Sequence, residues 1–160
     1  MSTPRTSDVP ARGSVLTAVT LTDLASGRAV GLRAGRGPRV LLIPHDAGCQ
    51  ECVKWLNALA ADGRAIDDWD ARIVMVLPGA QDSVPSDLGA GVRVLADPDY
   101  ALRIEAGSLV IADEWGEVYF STRIGPEHAL PDPAEVAEWA RYIAIQCPEC
   151  EQAEGAWRSI

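Results

Sequence analysis

The sequence predicts an α/β domain with a central mixed β-sheet flanked by helices on both faces. Short apolar, β-branched segments alternate with amphipathic segments along the 160 residues. Two of the later apolar segments are separated only by a short turn, so they form a hairpin and make the sheet mixed. Hydrophobic residues make up 48% of the chain, which is enough for one core of ordinary size.

Composition divides the chain into three regions. Residues 1–13 are polar and contain two prolines, so we expect a disordered lead-in. Residues 14–146 carry all the predicted strands and helices and form the domain. Residues 147–160 are a C-terminal extension that holds a second Cys-x-x-Cys pair.

The domain begins with two short strands and a buried strand. Residues 15–21 are apolar and β-branched, residues 23–27 have turn chemistry, and residues 28–33 alternate again, which predicts a hairpin. The next strand, Arg39–Ile43, has the continuous apolar character of a strand covered on both faces. An amphipathic helix follows from Cys49 and is expected to end near residues 62–63.

The second half of the domain repeats the alternation. A weak helical segment over residues 81–88 is limited by a proline, and Asp97 is expected to cap a helix over residues 99–104. A last helix is predicted from residue 132 to about residue 146. The remaining strands share an apolar, β-branched composition: residues 71–77, residues 92–95, Ser108–Ala112 and residues 117–122.

Charge and composition restrict the partners. The chain has 14 Lys and Arg against 23 Asp and Glu, a formal charge of -9, so phosphate backbones and anionic lipids are repelled. We therefore expect no nucleic acid or membrane partner. The sequence has no apolar leader and no segment of bilayer-spanning length, which predicts a cytoplasmic protein. In that reducing compartment two Cys-x-x-Cys pairs favour redox chemistry or metal binding over structural disulfides.

The first cysteine pair opens the helix that follows the buried strand. Cys49 and Cys52 lie one helical turn apart on one face, near enough to form a disulfide. Free amide groups in the first turn of a helix stabilise a thiolate. The same spacing also supplies half of a metal site. Both interpretations stay open at this point.

Other side chains near the pair have several interpretations. His45 and Asp46 either lie in a solvated turn or act on Cys49 as a Cys-His dyad or as metal ligands. Trp55 is expected to pack between helix and sheet. His128 lies in a Pro-containing loop with no evident partner, so we expect it to be exposed.

The order of elements, with Cys-x-x-Cys after the first core strand, resembles the thioredoxin superfamily. The segments Leu-Thr-Asp-Leu-x-x-Gly at residues 21–27 and Ala-Asp-Glu-Trp-Gly-Glu-Val at residues 112–118 are similar to the redoxin branch, which includes peroxiredoxins and TlpA-like reductases. The resemblance implies a thioredoxin-like fold for residues 14–146.

The resemblance also implies an activity. In the family the first cysteine is the exposed nucleophile and the second resolves the mixed disulfide, which assigns these roles to Cys49 and Cys52. The implied function is a thiol-disulfide oxidoreductase that acts on a protein or low-molecular-weight disulfide and needs no bound cofactor. The family's reductases carry a cis-proline facing the cysteines, and this chain has Gly107 at the corresponding position.

Two alternatives accompany this function. The first is a zinc-binding or protein-interaction module on the same fold, in which Cys49 and Cys52 join His45 or a partner chain's cysteines, so that a homodimer is one arrangement. The second is a thiol peroxidase with Cys49 as the peroxidatic residue. The peroxidase loop resembles this chain less well, because Asp46 stands where the family has a hydroxyl residue.

The second cysteine pair, Cys147 and Cys150, follows the last predicted helix. Its expected roles are structural, redox or metal binding. In a thioredoxin-like arrangement a helix of about 14 residues at 1.5 Å each would separate the two pairs by roughly 20 Å. We therefore expect that the two pairs do not share one metal ion within a monomer.

Overall fold

The computed structural model describes residues 9–33, 35–79 and 83–146. Within these ranges the chain forms seven strands and three helices. The elements are β1 (Thr20–Asp23), β2 (Ala29–Gly31), β3 (Arg39–Ile43), α1 (Gln50–Asp62), α2 (Arg64–Trp69), β4 (Arg72–Pro78), β5 (Arg93–Asp97), β6 (Ser108–Ala112), β7 (Val118–Arg123) and α3 (Pro133–Ala144). Among the described residues, none of these helices combines the length and apolarity that crossing a bilayer requires.

All seven strands belong to one mixed sheet in the order β2-β1-β5-β4-β3-β6-β7. The three central strands β3, β4 and β5 are parallel, and every other pairing is antiparallel. The predicted α/β class with a central mixed sheet is therefore confirmed. The parallel strands are apolar along their length because both faces of the sheet are covered.

One face of the sheet is covered by helices. Alternate residues of a strand point to opposite faces, and Val40, Leu42 and Met75 point toward α1 and α3. They form a core with Leu56 of α1 and Val136 of α3, all of which are buried. We call this surface the helical face.

Among the described residues, no helix covers the opposite face. Leu41 and Ile43 point to this side, where the cluster also contains Leu16, Leu102 and Ile104. These three covering residues lie outside the helices and strands. We call this surface the turn-covered face.

The helix predicted for residues 99–104 is wrong, and its absence explains the difference between the faces. The carboxylate of Asp97 accepts hydrogen bonds from the amides of Ala101 and Leu102, at 2.8 and 3.0 Å. Tyr100 and Arg103 adopt the left-handed conformation with φ of 52° and 56°. These conformations produce consecutive turns, so the described helices lie on the helical face rather than on both faces.

Two smaller predictions also differ from the structure, and one short helix was not predicted. The first strand begins at Thr20 rather than residue 15, because Val15 bridges to Glu117 beside the β6–β7 hairpin. Of the segment predicted as helical, residues 83–88 form a bend and a turn, consistent with Pro85, and residues 81–82 lie outside the described residues. The short helix α2 was not predicted; its Ala65 packs against small side chains of α3.

The start of the chain also has structure before residue 14. The Pro10 carbonyl accepts a hydrogen bond from Ser121 Oγ at 2.5 Å, and the Gly13 amide donates to the Val118 carbonyl at 2.8 Å. Residues 10–13 therefore lie alongside β7. The composition had placed them in the lead-in that was expected to be disordered. Residues 1–8 lie outside the described ranges.

Candidate functional site

A short turn after β3 sets the position of the first cysteine. The Oδ1 atom of Asp46 accepts a hydrogen bond from the Gly48 amide at 2.9 Å, and the Asp46 carbonyl accepts one from the Cys49 amide at 3.2 Å. Cys49 is the N-cap residue of α1, and its carbonyl accepts the first helical bond, from Val53. Asp46 therefore shapes the turn that brings the Cys49 thiol to the helix N-terminus.

The two cysteines are in contact. Cys49 Sγ lies 3.2 Å from Cys52 Sγ, and both are free thiols. A disulfide bond is about 2.05 Å long, so a small movement of either side chain can form it. Cys49 is 9% exposed and Cys52 is fully buried. Cys49 is thus the more accessible thiol, although it is less exposed than the family resemblance implied.

Cys52 retains its proton far above neutral pH. Burial, followed by the hydrogen bond to Cys49 and the Coulomb interaction with it, raises the pKa of Cys52 to about 12. The backbone amide of His45 opposes this shift, and the charge of Asp46 adds to it. In the reduced pair Cys52 therefore stays a neutral thiol.

His128 contacts Cys49 directly. Its Nε2 atom lies 3.3 Å from Cys49 Sγ, and the residue is half-buried. The prediction that His128 is exposed and without a partner is therefore wrong. The two residues are 79 positions apart, so no local pattern could reveal the contact. The only available signal was that the chain has just two histidines.

The loop after β7 holds His128 in place. His128 has a left-handed backbone with φ of 53°, and its amide donates to the Gly125 carbonyl at 2.9 Å. Farther along the loop, the Pro131 carbonyl accepts a hydrogen bond from Trp55 Nε1 at 2.8 Å. Trp55 therefore ties α1 to the segment that carries the imidazole, in addition to the packing role that the sequence predicts.

His45 is oriented by a different bond. Its Nε2 atom lies 2.7 Å from the Ile124 carbonyl oxygen. A carbonyl only accepts, so Nε2 carries the hydrogen of this bond. The ring packs edge-on against His128, with centroids 4.9 Å apart and an interplanar angle of 73°. His45 is exposed, as a solvated turn predicts, but its ring is held in a fixed direction.

Gly107 provides the space for the His45 ring. Its φ is 78°, and a Cβ atom there would lie 2.9 Å from both Cδ2 and Nε2 of His45. The Gly107 amide donates to the Ile43 carbonyl and its carbonyl accepts from the Ile124 amide, at 2.8 and 2.7 Å. Gly107 therefore faces His45, and any other residue there would collide with the imidazole.

These contacts gather two thiols and two imidazoles at one end of the sheet. One donor atom from each of His45, Cys49, Cys52 and His128 lies within 4.8 Å of every other. The arrangement can support nucleophilic thiol chemistry, with His128 as a proton acceptor, or coordination of a metal ion. Cys147 and Cys150 lie outside the described residues.

Comparison with solved structures identifies the architecture. No family model matches the chain, and no curated protein matches it either. A peroxiredoxin-like protein from Aquifex aeolicus superimposes with a TM-score of 0.64 at 11% identity, covering 85% of this chain and 89% of that chain. The thioredoxin domain of a thiol-disulfide oxidoreductase from Bacteroides vulgatus gives 0.58 at 20% identity, with 82% and 99% covered.

A thiol peroxidase from Chromobacterium violaceum gives a TM-score of 0.56 at 16% identity, covering 84% of this chain and 88% of that chain. The chain has a thioredoxin-like fold. This confirms the fold that the resemblance implied, for the part of the chain that the structure describes.

In this thioredoxin-like domain an open cleft of about 290 Å³ borders the candidate site. Lys54, whose side chain is 73% exposed, forms an ion pair with Glu51 at 3.5 Å on its rim. His128 and Trp55 also line the cleft. The imidazole of His128 therefore contacts Cys49 on one side and borders the open cleft on the other.

Proposed function

We propose that this chain is a thiol-disulfide oxidoreductase in which Cys49 is the nucleophile and Cys52 is the resolving thiol. The observation that carries the proposal is the contact series in which Cys49 Sγ lies 3.2 Å from Cys52 Sγ and 3.3 Å from His128 Nε2. A nucleophile needs a proton acceptor within reach and a second thiol close enough to complete the exchange. Solved structures with the same fold include thiol-disulfide oxidoreductases, which supports the proposal.

In the first step His128 accepts the proton of Cys49, and the thiolate attacks one sulfur of a disulfide substrate. The Cys49 sulfur forms a bond to that sulfur, the substrate S–S bond breaks, and the second substrate sulfur leaves as a thiolate. The position of Cys49 at the N-cap of α1 supports this step, because first-turn amides stabilise negative charge on the sulfur.

In the second step Cys52 attacks the Cys49 sulfur. A Cys49–Cys52 disulfide forms and the remaining substrate sulfur leaves as a thiolate, so two electrons pass from the dithiol to the substrate. Cys52 must lose its proton to attack. In the reduced pair, the hydrogen bond to Cys49 and the Coulomb interaction with Cys49 both raise the pKa of Cys52 and so oppose this loss. Once Cys49 is bonded to substrate, its negative charge is gone, and the proton of Cys52 can pass to the departing thiolate.

The substrate class is a protein or low-molecular-weight disulfide, and an external thiol would regenerate the dithiol. The electrons travel on sulfur throughout, so the reaction requires no bound cofactor. The cytoplasmic location stays a prediction from composition and cysteine content. The homodimer likewise stays a prediction.

Trapping of the mixed disulfide tests the proposal. A chain with Cys147→Ser and Cys150→Ser isolates the first pair, and Cys52→Ser in this background removes the resolving thiol. Incubation with oxidised glutathione should then leave one glutathione attached at Cys49, detected by intact mass and peptide mapping. The matched Cys49→Ser protein should carry none. Attachment at Cys52 in the Cys49→Ser protein, with no loss of dithiol-dependent turnover, would refute the assigned roles.

Thiol peroxidase activity is the second candidate. Cys49 is only 9% exposed, which suits a small oxidant such as hydrogen peroxide. Peroxide would oxidise Cys49 to a sulfenic acid and release water, and Cys52 would then form the disulfide and release a second water. Consumption of hydrogen peroxide that is faster than disulfide reduction under the same conditions would favour this function over the first.

A further inference from the structure

We propose that the reduced protein binds one Zn²⁺ ion through His45, Cys49, Cys52 and His128. This site goes beyond the proposed exchange reaction, because it uses both imidazoles and requires no disulfide substrate. Two thiolates and two imidazoles in a tetrahedral arrangement are the donor set typical of zinc.

The separations of the donor atoms match this ion. Zinc bonds of about 2.3 Å to sulfur and about 2.0 Å to nitrogen place tetrahedral donors roughly 3.3–3.8 Å apart. Cys49 Sγ lies 3.2 Å from Cys52 Sγ and 3.3 Å from His128 Nε2, and the largest separation in the group of four is 4.8 Å. Side-chain adjustments of about 1 Å would therefore complete the coordination shell, without movement of the sheet.

The backbone already supplies the outer contacts of a metal-binding histidine. Metal-ligating imidazoles commonly donate their second N–H to a backbone carbonyl, which fixes the ring and the tautomer. His45 Nε2 makes such a bond to the Ile124 carbonyl, so Nδ1 is the nitrogen that can bind a metal. Gly107 allows this ring position, because a side chain there would collide with the imidazole.

The surroundings of the site also suit a bound ion. Both cysteines belong to the apolar cluster of the helical face, where water has little access to the sulfurs. Ala47 packs against the same cluster. An apolar shell around a small set of donors limits exchange of the metal with solvent.

Zinc binding and disulfide formation exclude each other. Each zinc–sulfur bond uses the lone pairs of a thiolate, and a Cys49–Cys52 disulfide leaves no thiolate to bind the metal. The oxidised protein should therefore have no affinity for zinc at this site. It provides a control that requires no substitution.

Cobalt titration tests the site. The full-length chain with Cys147→Ser and Cys150→Ser is reduced, stripped with EDTA and titrated with Co²⁺, which gives absorption bands characteristic of tetrahedral thiolate coordination. We expect saturation at one equivalent, displacement by Zn²⁺ and no bands in the oxidised protein. Uptake that fails to saturate at one equivalent, or octahedral spectra, would overturn the proposal.

Single substitutions test whether the two histidines bind the metal together with the two cysteines. His45→Gln and His128→Gln should each weaken Co²⁺ binding at least about tenfold, because each removes one donor atom. Glu127→Gln, at the exposed position beside His128, is the matched control and should bind as the parent does. Unchanged affinity in either histidine variant would remove that residue from the site.

Nuclear magnetic resonance of the unsubstituted histidines gives the same information without a variant. Addition of Zn²⁺ to the reduced parent should shift the imidazole nitrogen resonances of both residues. An unshifted ring overturns its assignment as a ligand.

Disulfide reduction is also measured in excess EDTA, where no metal is bound. This assay tests the oxidoreductase activity independently of the metal site. Turnover without cobalt uptake would refute the metal site alone. Cobalt uptake without turnover would support the metal site and refute the oxidoreductase.

Discussion

The two faces of the sheet are built from the same strands but are covered in different ways. On the helical face, α1 and α3 pack against residues such as Leu42 and Met75. On the turn-covered face, Leu102 and Ile104 come from a segment whose amides are bound by a side chain rather than by helical carbonyls. Both faces are buried, and both contain Leu and Ile.

Only the helical face carries the candidate site. The N-terminus of α1 directs Cys49 toward the loop after β7, and the first turn of the helix fixes the spacing to Cys52. Consecutive turns bury apolar side chains well, but they do not align a series of free amides beside a thiol. The turn-covered face therefore contributes stability, whereas the helical face contributes stability and also positions the candidate site.

The largest effect should come from Cys49→Ser. Disulfide turnover should fall to the uncatalysed background, because a serine hydroxyl is a very poor nucleophile toward sulfur. Ile104→Ala on the turn-covered face should keep the turnover of each folded molecule. Loss of activity in an Ile104→Ala protein that remains folded by circular dichroism would mean that the turn-covered face also supports the reaction.

Core truncations should distinguish the faces by stability. Leu56→Ala on the helical face should lower the free energy of unfolding by about 4 kcal/mol, because its fully packed surroundings cannot close the cavity. Leu102→Ala should cost about 2 kcal/mol, since turns can relax around the smaller side chain. Urea denaturation of both variants, followed by tryptophan fluorescence, measures the difference. Equal costs would mean that both faces are equally rigid.

His128→Gln should reduce disulfide turnover by about 10²-fold at pH 7, because the acceptor for the Cys49 proton is lost. The deficit should shrink as pH rises, since hydroxide then replaces the imidazole as the base. Glu127→Gln is the control and should retain the parent activity. A deficit that is independent of pH would assign His128 a purely structural contribution.

Substitution of two glycines tests whether Gly107 is needed to accommodate the His45 ring. Gly27 and Gly107 have similar φ values of 73° and 78°, but a Cβ at Gly27 would meet nothing within 4 Å. Gly27→Ala should therefore lower the free energy of unfolding by about 1 kcal/mol, because alanine is strained in the left-handed conformation. Gly107→Ala should cost about 2–3 kcal/mol, because it adds a collision with His45 to that strain. Thermal denaturation compares the two, and equal costs would show that His45 moves aside freely.

The smallest effect concerns pH. The pKa of Cys52 is raised from an ordinary value of 9.0 to about 12 in the folded protein. Above pH 9 the unfolded chain therefore binds fewer protons at this thiol than the folded chain does, so stability falls as pH rises toward 12. One such group lowers the free energy of unfolding by about 1 kcal/mol between pH 9 and pH 10.

Comparison of the reduced, EDTA-treated parent with Cys52→Ser isolates this contribution. The parent should lose more stability over the interval, measured by urea denaturation at each pH. An identical loss in both proteins would mean that the thiol of Cys52 ionises as easily in the folded chain as in the unfolded chain.

Several elements were predictable because they depend on interactions between neighbouring residues. The continuous apolar run of Arg39–Ile43, followed by a turn and an amphipathic helix, predicted the strand and helix that carry Cys49 and Cys52. The alternation of elements also predicted the class of fold. These features follow from periodicity and turn chemistry, which act over a few residues.

Local patterns were less reliable where a side chain competed with helical bonds. Asp97 was expected to cap a helix and does bind two following amides, but the segment continues as turns. The left-handed backbone at Tyr100 and Arg103 has no signature in those residue types. The choice depends on fitting Leu102 and Ile104 into the turn-covered face, which is a property of the folded sheet.

The composition of the site depends on contacts between residues that are far apart in the sequence. His128 meets Cys49, and His45 meets the Ile124 carbonyl, each across 79 positions of sequence. These contacts exist because β6 and β7 bring the loop after β7 back to the end of the sheet where α1 begins. The pairing of whole strands brings together residues 79 positions apart. The residue types near either histidine give no indication of these contacts.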